Sequence, residues 1–217
     1  MDERREFQTD TNKADIPEHM EISVAESDHR IANSLSLTAA LLRMQRQKSA
    51  DAILKNALLS AEARIMSIAK FHAYLHTRST IGRVNLADAC IEILPDLSKS
   101  VGVRCLLEIE DAKKVDVSRR LAQKLMVIIN ELALNARKHA YEGQEGGSIS
   151  VELRPDAGHR VNLCVQDSGP GLPENFDPAK STGLGLRIVS SLVADLDGTL
   201  HWQTNGGAQF TISIPLD

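Results

Sequence analysis

Hydrophobic residues along the chain switch period near its middle. Between residues 20 and 47 they follow a helical stripe, Ile31, Leu35, Thr38 and Leu42, widened by Leu37, Leu41 and Met44. Ser49-Ala50-Asp51 interrupts it, and Ser49 or Asp51 can cap a new helix. Residues 52–77 then return to helical spacing through Ile53, Ala57, Ala61, Ile65, Ile68 and Leu75. So short a connection predicts an antiparallel hairpin. One hairpin cannot bury both stripes, so two are expected to pair into a dimeric four-helix bundle. Residues 79–83 read as a linker, and a helix is expected over 86–99. A strand is expected at 103–109, then a long helix over 119–141 capped by Ser118, with Leu121, Leu125, Ile128, Leu132 and Ala136 as its apolar face. Strands are expected at 148–154 and 160–166, where Val161, Leu163 and Val165 alternate with polar positions. After a loop at 172–182 come a helix over 184–196 and strands at 199–204 and 208–215. The second half is thus expected to be a mixed sheet covered by helices, an α/β sandwich, and the whole chain α+β.

Composition narrows the classes. With 217 residues and 42% hydrophobic content, one or two domains with real cores are expected, built from aliphatic side chains because aromatics supply only 3%. A net charge of −4 with both signs interspersed argues against a nucleic-acid binder that relies on a basic surface. No apolar run approaches the ~18 residues of a membrane span, and the charged N-terminus lacks a signal core. A soluble, cytoplasmic protein is expected. Cys90, Cys105 and Cys164 lie far apart in apolar segments and read as small buried hydrophobes in a reducing compartment.

Three polar motifs interrupt this pattern in the second half. Glu131, Asn135 and His139 recur every four residues on the 119–141 helix beside Lys138, on what reads as the face opposite the apolar stripe. Such a face also suits an ordinary solvated helix. Its chemistry fits a metal–phosphate site, since an Asn oxygen suits Mg²⁺ and a Lys offers phosphate a point charge. Asp167 follows an alternating strand, which puts a carboxylate at the sheet edge near a cleft, followed by Gly169 and Gly171. A carboxylate there can accept from the amino group of adenine, where guanine has a carbonyl. A plain strand-to-loop turn is the alternative. Gly183 and Gly185 open the next helix, whose first N–H groups attract phosphate. No Walker A loop occurs.

Taken together, NELALNARKHA, DSGPGLP and GLGLRIV resemble the three nucleotide-binding boxes of the GHKL (Bergerat) ATP-binding fold of histidine kinases, the gyrase B subunit, Hsp90 and MutL, over residues 84–217. The resemblance implies ATP and Mg²⁺ as cofactors. It implies Asn135 as the Mg²⁺ ligand and Asp167 as the adenine contact. It also implies Glu131 as an acid/base-side or metal-shell residue, Lys138 and His139 toward the phosphates, and Gly169, Gly171, Gly183 and Gly185 as the close-approach glycines. The lid is short, about 11 residues, and Phe176 is its one candidate aromatic.

His29 stands among polar residues at the start of an amphipathic helix, on one face with Asn33, with Asp28 or Glu26 placed to orient the ring or take its proton. On residue type alone it is also an ordinary exposed histidine. DHRIANSLSLTAALLRMQ resembles the phosphoacceptor box of the HisKA_2 subclass of histidine kinases, and RIMSIAKFHAYLH its second dimerisation helix. That resemblance implies phosphorylation of His29, with Asp28 beside it. Ala32 stands where the pattern has Lys, Ser34 where it has Asn, and Asp28 where it has His or Asn, which bears on regulator docking. His72 matches a histidine of the second helix and reads as structural; His76 has no motif support.

The expectation is therefore a polar tail (1–18), a dimerisation and histidine-phosphotransfer hairpin (19–80) and a catalytic ATP-binding domain (84–217). Together they would make a homodimeric histidine kinase that phosphorylates His29 from ATP and passes the phosphoryl group to an Asp of a response-regulator receiver domain. Neither nucleic acid nor membrane is an expected partner. About 20 residues precede the hairpin, so input is expected from a longer parent chain or from a separate sensor protein. A histidine phosphotransferase with a vestigial ATP-binding domain is the alternative. A GHKL-fold module acting on a partner's serine is the third reading.

Overall fold

The computed structural model describes residues 18–78, 82–109, 115–141, 147–156, 158–180 and 183–216. Residues 1–17 of the expected 1–18 tail, residues 79–81 of the linker and residues 181–182 of the lid lie outside the described residues.

Helices α1 (Glu18–Lys48) and α2 (Ala52–Arg78) form the antiparallel hairpin. Asp51 caps α2, its Oδ1 accepting the N–H of Ile53 at 2.7 Å and of Leu54 at 3.3 Å, while Ser49 Oγ holds the turn by accepting from Asp51 N. The face α1 turns to α2 is narrower than the stripe in the sequence. Ala32 and Ala39 are buried, but Leu37, Leu41 and Met44 stay at least half exposed, as does Ile53 on α2 at 82%.

The remainder runs β1 (Arg83–Asn85), α3 (Leu86–Val101), β2 (Arg104–Ile109), β3 (Asp116–Ser118), α4 (Arg119–His139), β4 (Ser148–Asp156), β5 (Arg160–Asp167), α5 (Leu184–Ala194), β6 (Thr199–Thr204) and β7 (Ala208–Pro215). The five-stranded sheet has the order β2-β4-β5-β7-β6, with β2 parallel to β4 and the other pairs antiparallel. Alternation puts Ile149, Val151, Leu153, Val161, Leu163, Val165, Ile212 and Ile214 on one face, all 3% exposed or less. Helices α3, α4 and α5 cover that face, and the other carries Ser150, Glu152, Asn162, Gln166, Thr211 and Ser213. The result is a two-layer α/β sandwich. The helices and the strands of this sheet fall close to their expected bounds. Strands β1 and β3 were not expected; three residues each, they pair with one another and bury Val84 and Val117, too short to show a period.

Helix α4 departs from expectation at the point that matters for the site. Ser118 caps it through Leu121 N, and its apolar face is buried as expected. The residues opposite are not all solvated. Helix α2 packs against α4 on the side away from the sheet, and Glu131 is 0% exposed.

Candidate nucleotide and phosphoacceptor site

A cavity of about 350 Å³ opens between the second half of α4, the end of β5 and the start of α5. Its walls include Leu132, Ile149, Val165, Leu186 and Phe210, and its polar groups include Asn135, His139 and Asp167. A mostly apolar slot with a few fixed polar groups suits a flat heterocycle.

Asp167 closes the inner end. It lies on the middle strand of the sheet, not at a sheet edge, at the C-terminal end of β5. It is 9% exposed, and its Oδ1 accepts the N–H of Gly169 and of Ala208, each at 2.9 Å. Those two bonds fix the carboxyl plane. Oδ2 accepts nothing from the described residues and remains for a donor in the cavity. The glycines beside it are sterically required. A Cβ on Gly169 would stand 2.4 Å from the Cβ of Ala140, and Gly171 has φ +87° with the side chain of Thr204 against it. Tyr141 ties these pieces together, its hydroxyl donating to Ser148 O at 2.6 Å and accepting from Ser168 N at 2.8 Å. Phe176, the lid candidate, lines the cavity edge-on to Phe210 and Trp202.

At the other end Asn135 lines the cavity, and Glu131 lies behind it against the α5 start. Asn135 Nδ2 is buried and unbonded. A Cβ on Gly185 would fall 2.8 Å from Glu131 Oε2 and 3.3 Å from Asn135 Oδ1, so the α5 start settles on both side chains only because Gly185 lacks one. Gly183 caps α5 without a side-chain bond, leaving that helix's first N–H groups to other acceptors. His139 lines the cavity, whereas Lys138 is exposed and outside its wall. An unbonded buried amide beside a cradle that a Cβ would fill fits a polar, phosphate-bearing ligand with its metal. Asn135 Oδ1 is the oxygen suited to Mg²⁺, a cation that keeps most of its waters.

Glu131 requires correction. It does not share a solvated face with His139. Arg64 of α2 grips it, Nε to Oε1 at 2.5 Å and Nη2 to Oε2 at 2.8 Å. Both oxygens accept from a guanidinium, so Glu131 is held as a buried ion pair and not on a solvated face.

His29 is exposed on α1. Its Nε2 lies 3.3 Å from Asn33 Nδ2, and its ring stacks on His76 of α2 with centroids 4.9 Å apart. With its NH₂ turned to the ring the amide donates, and Nε2 accepts in the tautomer that carries its proton on Nδ1. Asp28 does not orient this ring. It is 4% exposed and faces the other way, bonded to His72 Nδ1 at 2.9 Å and ion-paired with Arg119 at the start of α4. Glu26 is bound to Arg30 at 2.6 Å, and that bond holds its carboxyl below its ordinary pKa.

Two family models match the chain. Residues 26–101 match "Histidine kinase", and residues 121–217 match "Histidine kinase-, DNA gyrase B-, and HSP90-like ATPase". The chain is 36% identical over 201 residues to the sensor histidine kinase PdtaS of Mycobacterium tuberculosis, covering 89% of this chain and 39% of that protein. It is 33% identical over 199 residues to the sensor histidine kinase PdtaS of Mycolicibacterium smegmatis, covering 89% and 40%. It thus spans about two fifths of the length of these relatives. Its fold is similar to the histidine kinase domain of the Erythrobacter litoralis blue-light activated histidine kinase, with a TM-score of 0.62 at 22% identity over 91% of this chain and 93% of that one. Hairpin, sandwich, cavity and both family matches converge: the chain belongs to the histidine kinases, joining a HisKA_2 helical hairpin to a GHKL-type ATP-binding domain.

Proposed function

We propose that this chain transfers the γ-phosphoryl group of ATP to His29 and then to an aspartate of a response-regulator receiver domain. The observation that carries the reading is Asp167: a carboxyl fixed by two backbone N–H bonds at the inner end of a 350 Å³ cavity, with one oxygen left for a donor. That arrangement suits the amino group of adenine. Asn135 would hold Mg²⁺, which supplies neutralisation of phosphate charge when bound. The N–H groups after Gly183 and the His139 ring would face the phosphates, and Lys138 would need a side-chain swing to join them. In the transfer itself, His29 Nε2 forms a bond to the γ-phosphorus as the bond to the bridging oxygen breaks, and ADP leaves. Asn33 holds the ring through Nε2 and releases that nitrogen for the attack, and positioning supplies most of the rate. Asp28 contributes by holding α1, α2 and α4 together beside the acceptor, not by touching the ring.

In this reading residues 19–80 form the dimerisation and phosphotransfer unit, with a second copy covering the exposed Leu37, Leu41, Met44 and Ile53, and residues 84–217 form the catalytic unit. No described helix is long and apolar enough to cross a membrane, in keeping with action in the cytoplasm on a diffusible receiver. The intact cavity favours a kinase over a phosphotransferase with a vestigial nucleotide fold. A chase experiment separates the two. Protein labelled from γ-labelled ATP and freed of nucleotide should pass its label to a receiver domain and not to one whose acceptor Asp is replaced. If ATP never labels the protein but a phosphorylated receiver does, the phosphotransferase reading is correct.

A further inference from the structure

Behind Asn135, which lines the nucleotide cavity, and against Gly185 at the α5 start lies a buried carboxylate close enough to repel a polyphosphate bound there. Glu131 Oε2 and Asn135 Oδ1 both approach the same point on Gly185, at 2.8 and 3.3 Å, so the two oxygens lie within about 6 Å of one another. Glu131 is 0% exposed, so water screens none of its charge. Its neutralising partner does not come from the ATP-binding half. Arg64 stands 67 residues earlier, on α2 of the hairpin, and reaches across with a bidentate bond to both oxygens. No other described residue bonds Glu131.

We propose that Arg64 is a positioning residue of the nucleotide site, supplied by the hairpin, which neutralises Glu131 so that a triphosphate can settle beside Asn135 and the α5 start. The proposal rests on the reading of the cavity as an ATP site. It divides the ligand in two. The base is held by Asp167 and the apolar walls, remote from Arg64, whereas the affinity for phosphates depends on a side chain of the hairpin. A hairpin displaced from α4 would keep adenine recognition and lose triphosphate affinity. Phosphate binding is therefore coupled to the seating of the hairpin on the ATP-binding half.

The test is equilibrium binding by the whole chain of two ligands, MgATP and adenosine. Arg64→Gln should weaken MgATP binding about tenfold or more, the scale of one uncompensated charge near a phosphate, while adenosine binding stays within about twofold. Adenosine binding also reports that the variant's pocket is folded. Arg64→Lys, which keeps the charge, should retain most of the MgATP affinity. The Arg64→Gln/Glu131→Gln double variant, neutral again, should recover it. Equal loss for both ligands, loss for neither, or a double variant no better than Arg64→Gln would overturn the proposal while leaving the ATP reading standing. A parent protein that binds neither ligand would overturn both.

Discussion

At the scale of single residues, nucleotide recognition and transfer would rest on a few side chains whose bonds leave one defined valence open. Asp167 uses Oδ1 on two backbone N–H groups and keeps Oδ2 for a ligand. Asp167→Asn replaces a charged acceptor by an amide and should weaken ATP binding by roughly 10- to 100-fold, as measured by displacement of a fluorescent nucleotide. Asn33→Ala frees the His29 ring and should slow its phosphorylation without changing nucleotide affinity; an equal drop in both would contradict the assigned role. The cysteines give a separate check. Burial pushes the Cys90 thiol up to about 12, and raises those of Cys105 and Cys164 less. Below pH 9 the native protein should therefore alkylate Cys105 and Cys164 well before Cys90, read by peptide mass spectrometry. Asn135, Asp167 and His29 can be singled out in the sequence because each sits in a motif that resembles a histidine-kinase box, whereas on residue type alone each also suits an ordinary helix face or turn. Arg64, Arg119, His76 and Tyr141 are not. Their partners lie 67, 91, 47 and 27 positions away, and no local pattern marks a residue whose role is to cross between elements.

At the scale of elements, α4 organises the molecule. Its apolar face binds the sheet, its first turn reaches Asp28, its middle takes Arg64, and its end carries the nucleotide residues. Periodicity marks the helix but not the surroundings of its polar face, because spacing reports which residues share a face and not what else packs on that face. Helix α2 covers it, and a glutamate that reads as solvated becomes the most buried charge among the described residues. Truncating the sheet-facing side should be costly: Leu125, 0% exposed, should lose about 2–5 kcal/mol as Leu125→Ala in denaturant unfolding. Asp51→Ala removes the α2 cap and should cost only about 0.5–2 kcal/mol by the same measurement. If the two losses were similar, the core assignment of α4 would be wrong.

At the scale of the whole molecule, α4 is also a ruler. Arg119 touches Asp28, the neighbour of the phosphoacceptor, and Asn135 lies sixteen positions further along. At 1.5 Å per residue that is ~24 Å. The nucleotide residues and the neighbour of His29 therefore lie towards opposite ends of one helix, with the hairpin seated along it. The buried pairs Asp28–Arg119 and Glu131–Arg64 hold it there. The hairpin's uncovered apolar residues belong to the same scale. Leu37→Glu with Leu41→Glu should shift a dimer to monomers in sedimentation, with the second half still folded. Labelling with γ-labelled MgATP of the parent protein beside His29→Ala and Asp167→Asn tests the proposed transfer. An acid-labile, base-stable label is expected on the parent, none on His29→Ala, and a strongly reduced label on Asp167→Asn. A label that persists undiminished in His29→Ala would contradict that transfer.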